Sequence, residues 1–286
     1  MTQAKNYFEH ALSEVETLPP VSTVLHKILE LTDGDENPRE ELIRCVSLDQ
    51  AIAAKVLQII NSAYYGIRQE VSSLEVAVAL LGDKKVHEIA IMCSTSGALR
   101  GGIQGYGIPA DQFWLHSVTT GFAARLIAGR FAPERRETAF VAGLLHDIGK
   151  LVINRLIEEP HREMLWKLAG DLSPDYHSKE IELFGFDHCT IGYFVAQSWN
   201  FPVELVSAIA FHHYPDYEVE HRDIVRVVCF ADALAHLLSM GVHDPSMVAA
   251  LEEEGRIPFD LSYHEVEEIF SHLKAEVGDS QAFLGM

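Results

Sequence analysis

Two pairs of adjacent side chains that can bind metal ions occur in the second half of the sequence. His146 and Asp147 follow an apolar segment and precede Gly149, and His212 and His213 follow another apolar segment and precede a Tyr-Pro dipeptide. Adjacent residues of an uninterrupted helix diverge by about 100°, so both members of a pair can face one centre only where a helix ends. Glycine and proline commonly end helices. The two pairs therefore predict metal ligands at two helix ends.

Three further candidate ligands lie within helical patterns among mainly apolar neighbours, namely His116, His188 and Asp232. A buried aspartate in such a segment is costly unless it is paired or coordinates a cation. Imidazole and carboxylate together suit iron, manganese, zinc or nickel, and a carboxylate can bridge two ions about 3.5–4 Å apart in a hydrolytic site. We interpret Asp147 as this bridge.

The elements that position these side chains are predicted to be helices throughout, because apolar residues recur with helical spacing and no strand-like alternation competes. In the first hundred residues the pattern predicts helices at Val21–Leu31, Arg39–Val46, Leu74–Leu81 and Lys84–Ser94, and a further helix that Asp49 caps and that runs towards Ile60. Ser73 precedes the helix at Leu74–Leu81, and Gly82 is expected to end it. Further along, it predicts helices at Asp111–Ala128, Glu134–Leu145, Ile148–Ile157, Thr190–Ser198, Val203–Phe211, Ile224–Leu238 and Tyr263–Leu273. The fold class is therefore all-α.

A glycine-rich segment from Arg100 to Pro109 separates the two sets of helices, and its composition predicts a loop. The length of 286 residues suggests about two domains. We therefore predict an N-terminal helical bundle over residues 1–105 and a metal-binding helical domain over 106–286. The alternative is a long functional loop inside a single unit.

The order of the candidate ligands resembles the HD superfamily of metal-dependent phosphohydrolases, which have a histidine, a His-Asp pair and a later aspartate. This resemblance implies a first ion held by His116, His146, Asp147 and Asp232. Similarity to the HD-GYP branch implies a second ion held by Asp147, His188, His212 and His213, with Lys150 contacting phosphate. Trinuclear members have a glutamate where this chain has Gln112, so two ions are expected.

Four separated motifs resemble a different branch, the HDOD family of HD-related output domains in bacterial signalling proteins. They begin at Leu18 (Leu-Pro-Pro-Val), Ser47 (Ser-Leu-Asp-Gln), Asn61 (Asn-Ser-Ala-Tyr-Tyr-Gly) and Ala79 (Ala-Leu-Leu-Gly). The resemblance covers roughly residues 12 to 215 and implies signal transduction. Many HDOD members have lost metal ligands, whereas this chain keeps the full set. After Lys150 the chain also lacks the Gly-Tyr-Pro segment of the HD-GYP branch, so cyclic di-GMP is not the expected substrate.

Composition limits the partners that the protein can have. The formal net charge is −20, which opposes binding to DNA or to anionic lipid surfaces. Acidic residues near the N-terminus do not fit a secretory signal, and no segment is apolar for the roughly 18 residues that a membrane helix needs. The four cysteines are far apart in the sequence. We therefore expect a cytoplasmic protein with no DNA or membrane partner.

Two functions remain open at this point. The first is a metal-dependent phosphohydrolase acting on a nucleotide or another phosphate ester, with two divalent ions, iron being expected first, and with Asp147 and Lys150 in catalytic roles. The second is a bacterial signalling module in which the metal site is structural or sensory and the N-terminal bundle binds a partner protein. Hydrolysis of a generic phosphodiester would separate these two hypotheses.

Overall fold

The fold is all-helical, which confirms the predicted class. The computed structural model describes residues 2–19, 21–31, 38–62, 65–99, 101–159, 161–168, 175–217, 220–239, 259 and 261–280. An isolated backbone bridge joins Ile103 and Ile108, and no strand occurs in these ranges. None of the described helices is both long and apolar enough to span a membrane.

The helices are numbered here in chain order. They are α1 (Thr2–Thr17), α2 (Thr23–Glu30), α3 (Pro38–Ser47), α4 (Gln50–Ile60), α5 (Leu74–Leu81), α6 (Asp83–Leu99), α7 (Ala110–Phe131), α8 (Arg136–Leu145), α9 (Ile148–Leu156), α10 (His161–Trp166), α11 (Tyr176–Phe184), α12 (His188–Ser198), α13 (Val203–Phe211), α14 (Arg222–Ser239) and α15 (Tyr263–Ser280). Short 3-10 helices occupy Gln104–Tyr106 and Pro133–Arg135.

Residues 19–98 form one compact unit, which contains α2 to α5 and most of α6. In this unit, α4 and α5 begin after residues whose side chains cap a helix, and α5 ends at a residue that favours a helix C-terminus. Asp49 precedes α4 and its carboxylate accepts hydrogen bonds from the backbone N–H groups of Ala51 and Ile52, as expected of an N-cap. Ser73 caps α5, and Gly82 ends that helix at a φ of +81°, where glycine is favoured.

The Asn-Ser-Ala-Tyr-Tyr-Gly motif has a structural role in this unit. The Asn61 side-chain amide donates to Val71 O at 2.8 Å, and Val71 N donates to Asn61 Oδ1 at 2.7 Å. These two hydrogen bonds hold together the ends of the segment between α4 and α5. Ala63 and Tyr64 of the motif lie outside the described residues.

Residues 1–18 and 99–278 form the other unit, which contains all the candidate ligands. Helix α1 belongs to this unit, although the sequence predicts that residues 1–105 form the N-terminal bundle. The reason is aromatic packing, because the Tyr7 ring lies 5.4 Å from that of Phe184 and the Phe8 ring lies 5.5 Å from that of Phe186. The division between residues 105 and 106 itself stays a prediction.

Glycines allow close approach between the helices that carry the ligands. A Cβ on Gly143 of α8 would lie 2.6 Å from the backbone oxygen of Thr120 on α7. A Cβ on Gly149 of α9 would lie only 1.9 Å from the backbone oxygen of His188, and 2.7 Å from the backbone nitrogen of Gly192, on α12. Backbone atoms cannot move aside as a flexible side chain can, so the contact between α9 and α12 requires glycine at position 149.

We predict that Gly149→Ala destabilises the protein by about 1–3 kcal/mol, because the added methyl group overpacks a backbone contact. Gly97→Ala is the matched control, since Gly97 lies in α6 and a Cβ there would meet nothing within 4 Å. The control should gain about 0.4–1 kcal/mol from reduced freedom of the unfolded chain. Urea unfolding measures both changes, and equal effects of the two substitutions would contradict the packing argument.

Candidate metal centre

The candidate ligands reach one region from three helices and from the ends of three others. His116 lies within α7, His188 begins α12, Asp232 lies within α14, and His212 directly follows α13. His146 and Asp147 occupy the short break between α8 and α9. Because the chain turns at this break, two adjacent side chains can reach the same cluster. Gly149 does not end a helix as the sequence predicted, but lies in the first turn of α9.

Four ligand atoms form what we call the first half-site: His116 Nε2, His146 Nε2, Asp147 Oδ2 and Asp232 Oδ1. His116 Nε2 lies 3.2 Å from Asp232 Oδ1 and 3.3 Å from His146 Nε2, and His146 Nε2 lies 3.4 Å from Asp147 Oδ2. Metal–ligand bonds of about 2.0–2.1 Å give a tetrahedron with edges of about 3.3–3.4 Å. Two other distances in this set are longer, at 3.9 Å from His116 Nε2 to Asp147 Oδ2 and 3.6 Å from His146 Nε2 to Asp232 Oδ1. His116, His146 and Asp147 are grouped closely enough to hold an ion, and Asp232 contacts the two histidines of this group.

The other oxygen of Asp147 faces a different pair of imidazoles, and together they form the second half-site. His188 Nε2 lies 3.2 Å and His212 Nε2 lies 3.8 Å from Asp147 Oδ1. The two imidazole nitrogens are 3.3 Å apart. One carboxylate thus faces two sets of histidines, with one oxygen toward each set.

Hydrogen bonds on the far side of three rings select the form of imidazole that binds metals. His146 Nδ1 lies 2.7 Å from Gly143 O, and His212 Nδ1 lies 2.9 Å from Ile209 O. A carbonyl oxygen only accepts, so both Nδ1 atoms donate. In a neutral imidazole the Nε2 lone pair is then directed to the cluster. His188 Nδ1 donates instead to a carboxylate oxygen of Glu180 at 2.7 Å.

Charge in the cluster favours a cation. Although burial opposes ionisation, His146 and Lys150 hold the pKa of Asp147 well below its ordinary value. Burial likewise opposes the charged form of Asp232, but hydrogen bonds from His116 and His146 keep its pKa well below normal. Burial disfavours the His146 imidazolium, yet the two carboxylates raise the pKa of His146 to about 10. Two buried anions thus attract positive charge to one place.

Lys150 extends the cluster from α9. Its Nζ donates to Asp147 Oδ2 at 2.7 Å and lies 5.2 Å from the centre of the Tyr176 ring. Burial opposes the ammonium form, but the carboxylates of Asp147 and Glu180 raise the pKa of Lys150 above its ordinary value. Lys150 therefore places a fixed positive charge against the carboxylate that the two half-sites share.

His213 and Cys189 lie beside the second half-site. The His213 ring centre is 4.3 Å from that of His212 and stacks on His177 at 4.7 Å. Burial and the neighbouring His212 and His188 hold the pKa of His213 well below normal, which leaves it in the neutral, ligating form. Cys189 Sγ lies 3.6 Å from His212 Nδ1. His188, Cys189, His212 and His213 are grouped closely enough to hold an ion.

Sequence reasoning missed Glu180 and Tyr106. Glu180 is fully buried, accepts hydrogen bonds from the His188 ring and backbone, and is bonded to the Tyr106 hydroxyl. A signal was present in the sequence, because Tyr176, Glu180 and Phe184 share one face of α11 at a spacing of four residues. A carboxylate on an otherwise apolar face is costly unless it is hydrogen-bonded, paired or bound to a cation. The same reasoning identified Asp232 as a candidate ligand.

The residues present fit divalent metal ions. Asp147 Oδ1 is buried and accepts no hydrogen bond from the described part of the chain. Between neutral imidazoles, the Nε2 lone pairs of His188 and His212, which are 3.3 Å apart in the second half-site, would repel without a cation between them. An unsatisfied carboxylate oxygen and convergent lone pairs are the features that a metal ion satisfies.

The helical architecture and the histidine–aspartate cluster together define an HD-type domain. The model of the HDOD domain family matches residues 18–215, which is more than half of the chain. The chain belongs to the HDOD family.

Solved structures support the fold. An HDOD domain protein of unknown function from Geobacter sulfurreducens is 25% identical, with a TM-score of 0.72 and 99% of this chain and 97% of that chain covered. A candidate phosphohydrolase from Shewanella amazonensis SB2B is 23% identical, with a TM-score of 0.70 and coverage of 96% and 97%. At this identity the second similarity shows the fold alone.

A curated relative from Treponema pallidum (strain Nichols), described as an uncharacterized protein, is 25% identical over 236 residues. The match covers 80% of this chain and 44% of the relative, so this chain spans less than half of the relative's length.

We predict that protein purified without added metal contains about two ions per chain by elemental analysis. His146→Ala and His212→Ala should each lower this content, because each removes a ligand from a different half-site. His272→Ala is the matched control, since His272 is exposed on α15. A folded wild-type protein that holds no metal and takes none up on reconstitution would rule out the metal centre.

Proposed function

We propose that this HDOD protein holds two divalent metal ions and hydrolyses a phosphate ester, such as a nucleotide or a phosphodiester. The observation that carries this proposal is the division of Asp147 between two sets of imidazoles, with Oδ2 facing His146 at 3.4 Å and Oδ1 facing His188 at 3.2 Å. Carboxylate-bridged ion pairs are typical of hydrolytic sites. Iron is our expected metal, with manganese, nickel and zinc as alternatives.

The first ion would be held by His116, His146, Asp147 and Asp232, and the second by Asp147, His188, His212 and His213. When bound, divalent ions supply an acidified water and polarise phosphate oxygens. The protein supplies a fixed cation as well, because the Lys150 ammonium is buried beside Asp147. A cation held in a buried position stabilises negative charge on phosphate more strongly than the same charge in water.

Exposure differs between the half-sites and indicates where an anionic ligand would enter. The side chains of His116 and Asp232 are 17% and 11% exposed, whereas those of His188 and His212 are fully buried. A phosphate group would therefore approach from the side of His116 and Asp232. The net charge of −20 slows the encounter with an anion, so the local positive charge of the site has to capture the substrate.

A signalling module is the second candidate function. Membership of the HDOD family and the closed second half-site favour it, because a buried ion suits a structural or sensory role. In this case residues 19–98 would present a surface to a partner protein, and binding at the metal centre would shift a conformational equilibrium.

We predict that protein loaded with Fe²⁺ or Mn²⁺ hydrolyses bis(p-nitrophenyl) phosphate, and that Asp147→Asn lowers kcat/KM by at least about 100-fold, because the ions contribute several kcal/mol to catalysis. Asp147→Asn keeps the side-chain size. Asp111→Asn, which changes an exposed carboxylate at the start of α7, is the matched control and should keep full activity.

The release of p-nitrophenol is followed by absorbance, and the metal content of each sample is measured in parallel. Turnover that persists in Asp147→Asn would contradict the catalytic assignment. Two bound ions with no turnover of nucleotides or generic phosphodiesters would leave the signalling function in its place.

A further inference from the structure

Glu180 is a buried carboxylate to which the metal-binding motifs assign no role. It lies on α11 and is fully buried, between Tyr176 and Phe184 on the inward face of that helix. The cost of burying an ionisable side chain there is large, so its contacts should explain its presence.

Both oxygens of Glu180 accept short hydrogen bonds. Oε2 accepts from His188 Nδ1 at 2.7 Å and from the His188 backbone N–H at 2.6 Å. Oε1 accepts from the Tyr106 hydroxyl at 2.6 Å. One carboxylate thus accepts hydrogen bonds from both the ring and the backbone of His188, the residue that begins α12.

The hydrogen bond to a carboxylate distinguishes His188 from two of the other histidines in the cluster. His146 and His212 donate from Nδ1 to backbone carbonyls, whereas His188 donates to a carboxylate. A carboxylate partner fixes the ring orientation and raises the basicity of the opposite nitrogen more than a carbonyl does. The opposite nitrogen, Nε2, is the atom 3.2 Å from Asp147 Oδ1.

Tyr106 connects the glycine-rich loop to this contact. The 3-10 helix that carries it is anchored at Gly105, whose N–H donates to Asn154 Oδ1 at 2.7 Å, and at Gln104, whose carbonyl accepts from Trp166 Nε1 at 3.2 Å. Burial, together with the charge of Glu180, raises the pKa of Tyr106 well above normal, so the hydroxyl keeps its proton and remains a donor.

We propose that Glu180 is a positioning residue for the second half-site, and that Tyr106 holds Glu180 in place. Glu180 keeps the Nδ1 proton of His188 directed away from the cluster, so that Nε2 is free to bind an ion. The glycine-rich loop, which separates two sets of helices in the sequence, thereby supports the metal centre. This inference rests on the proposed metal centre.

The first test is the His188 Nδ1 proton in metal-free protein, observed by ¹H–¹⁵N NMR of histidine side chains and assigned with His188→Gln. The wild type should show a downfield, slowly exchanging Nδ1–H resonance. Glu180→Ala should lose it, and Glu180→Gln should retain a weaker form, because the amide oxygen still accepts. Glu182→Gln is the matched control, since Glu182 is an exposed carboxylate on the same helix.

The second test is titration of the same metal-free proteins with Zn²⁺ against a competing chelator. Glu180→Ala should weaken the binding of one of the two ions by about 10- to 100-fold and leave the other unchanged. Tyr106→Phe removes only the hydroxyl and should weaken the same ion by about 2- to 10-fold. Thermal unfolding followed by circular dichroism verifies that each variant is folded.

The outcomes separate this inference from the proposed function. Two ions bound by Glu180→Ala with wild-type affinities would overturn the role of Glu180 and leave the metal centre intact. A His188 Nδ1–H resonance that survives in Glu180→Ala would overturn the hydrogen bond on which the role depends. A wild-type protein that shows the resonance but binds no Zn²⁺ would overturn both proposals.

Discussion

The buried charge of Asp147 is the constraint on which the rest of this unit depends. A carboxylate removed from water is strongly destabilising unless positive charge or hydrogen-bond donors surround it. His146 and Lys150 lie within 3.4 Å of Oδ2, and His188 and His212 lie within 3.8 Å of Oδ1. The helices that carry these residues must therefore meet at one point. The packing of these helices and the charge balance of the cluster therefore depend on each other.

The meeting of these helices is made possible by glycine. At Gly149 the backbone of α12 lies so close that a methyl group would overlap the carbonyl oxygen of His188. This contact sets the position of His188 relative to Asp147, two residues before Gly149. A residue with no side chain therefore contributes to the site by allowing the ligand-bearing helices to approach each other. Gly143 has the same function between α8 and α7.

Sequence reasoning predicted much of the fold because the local signals are strong. The N-cap at Asp49 and the limits of α5 between Ser73 and Gly82 follow from side-chain chemistry and were predicted at the residues where they occur. The assembly of α1 with Phe184 and Phe186 was not predicted, since it depends on contacts between residues far apart in the chain. The ligand order in the sequence indicated a metal cluster, but the assignment of each oxygen and nitrogen required three-dimensional positions. Glu180 was missed because its partner, His188, lies beyond the helix that carries it.

The unequal exposure of the two half-sites bears on how quickly an ion could leave. The candidate ligands His188 and His212 have no contact with solvent, whereas His116 and Asp232 retain some. His213, the remaining candidate ligand of the second ion, is half-buried. An ion in the second half-site would therefore leave more slowly than one in the first, and local opening of α12 or α13 would speed its release. An ion in the first half-site would exchange directly with the solvent. If both proposed ions bind, the ion in the first half-site would respond more quickly to the metals available around the protein.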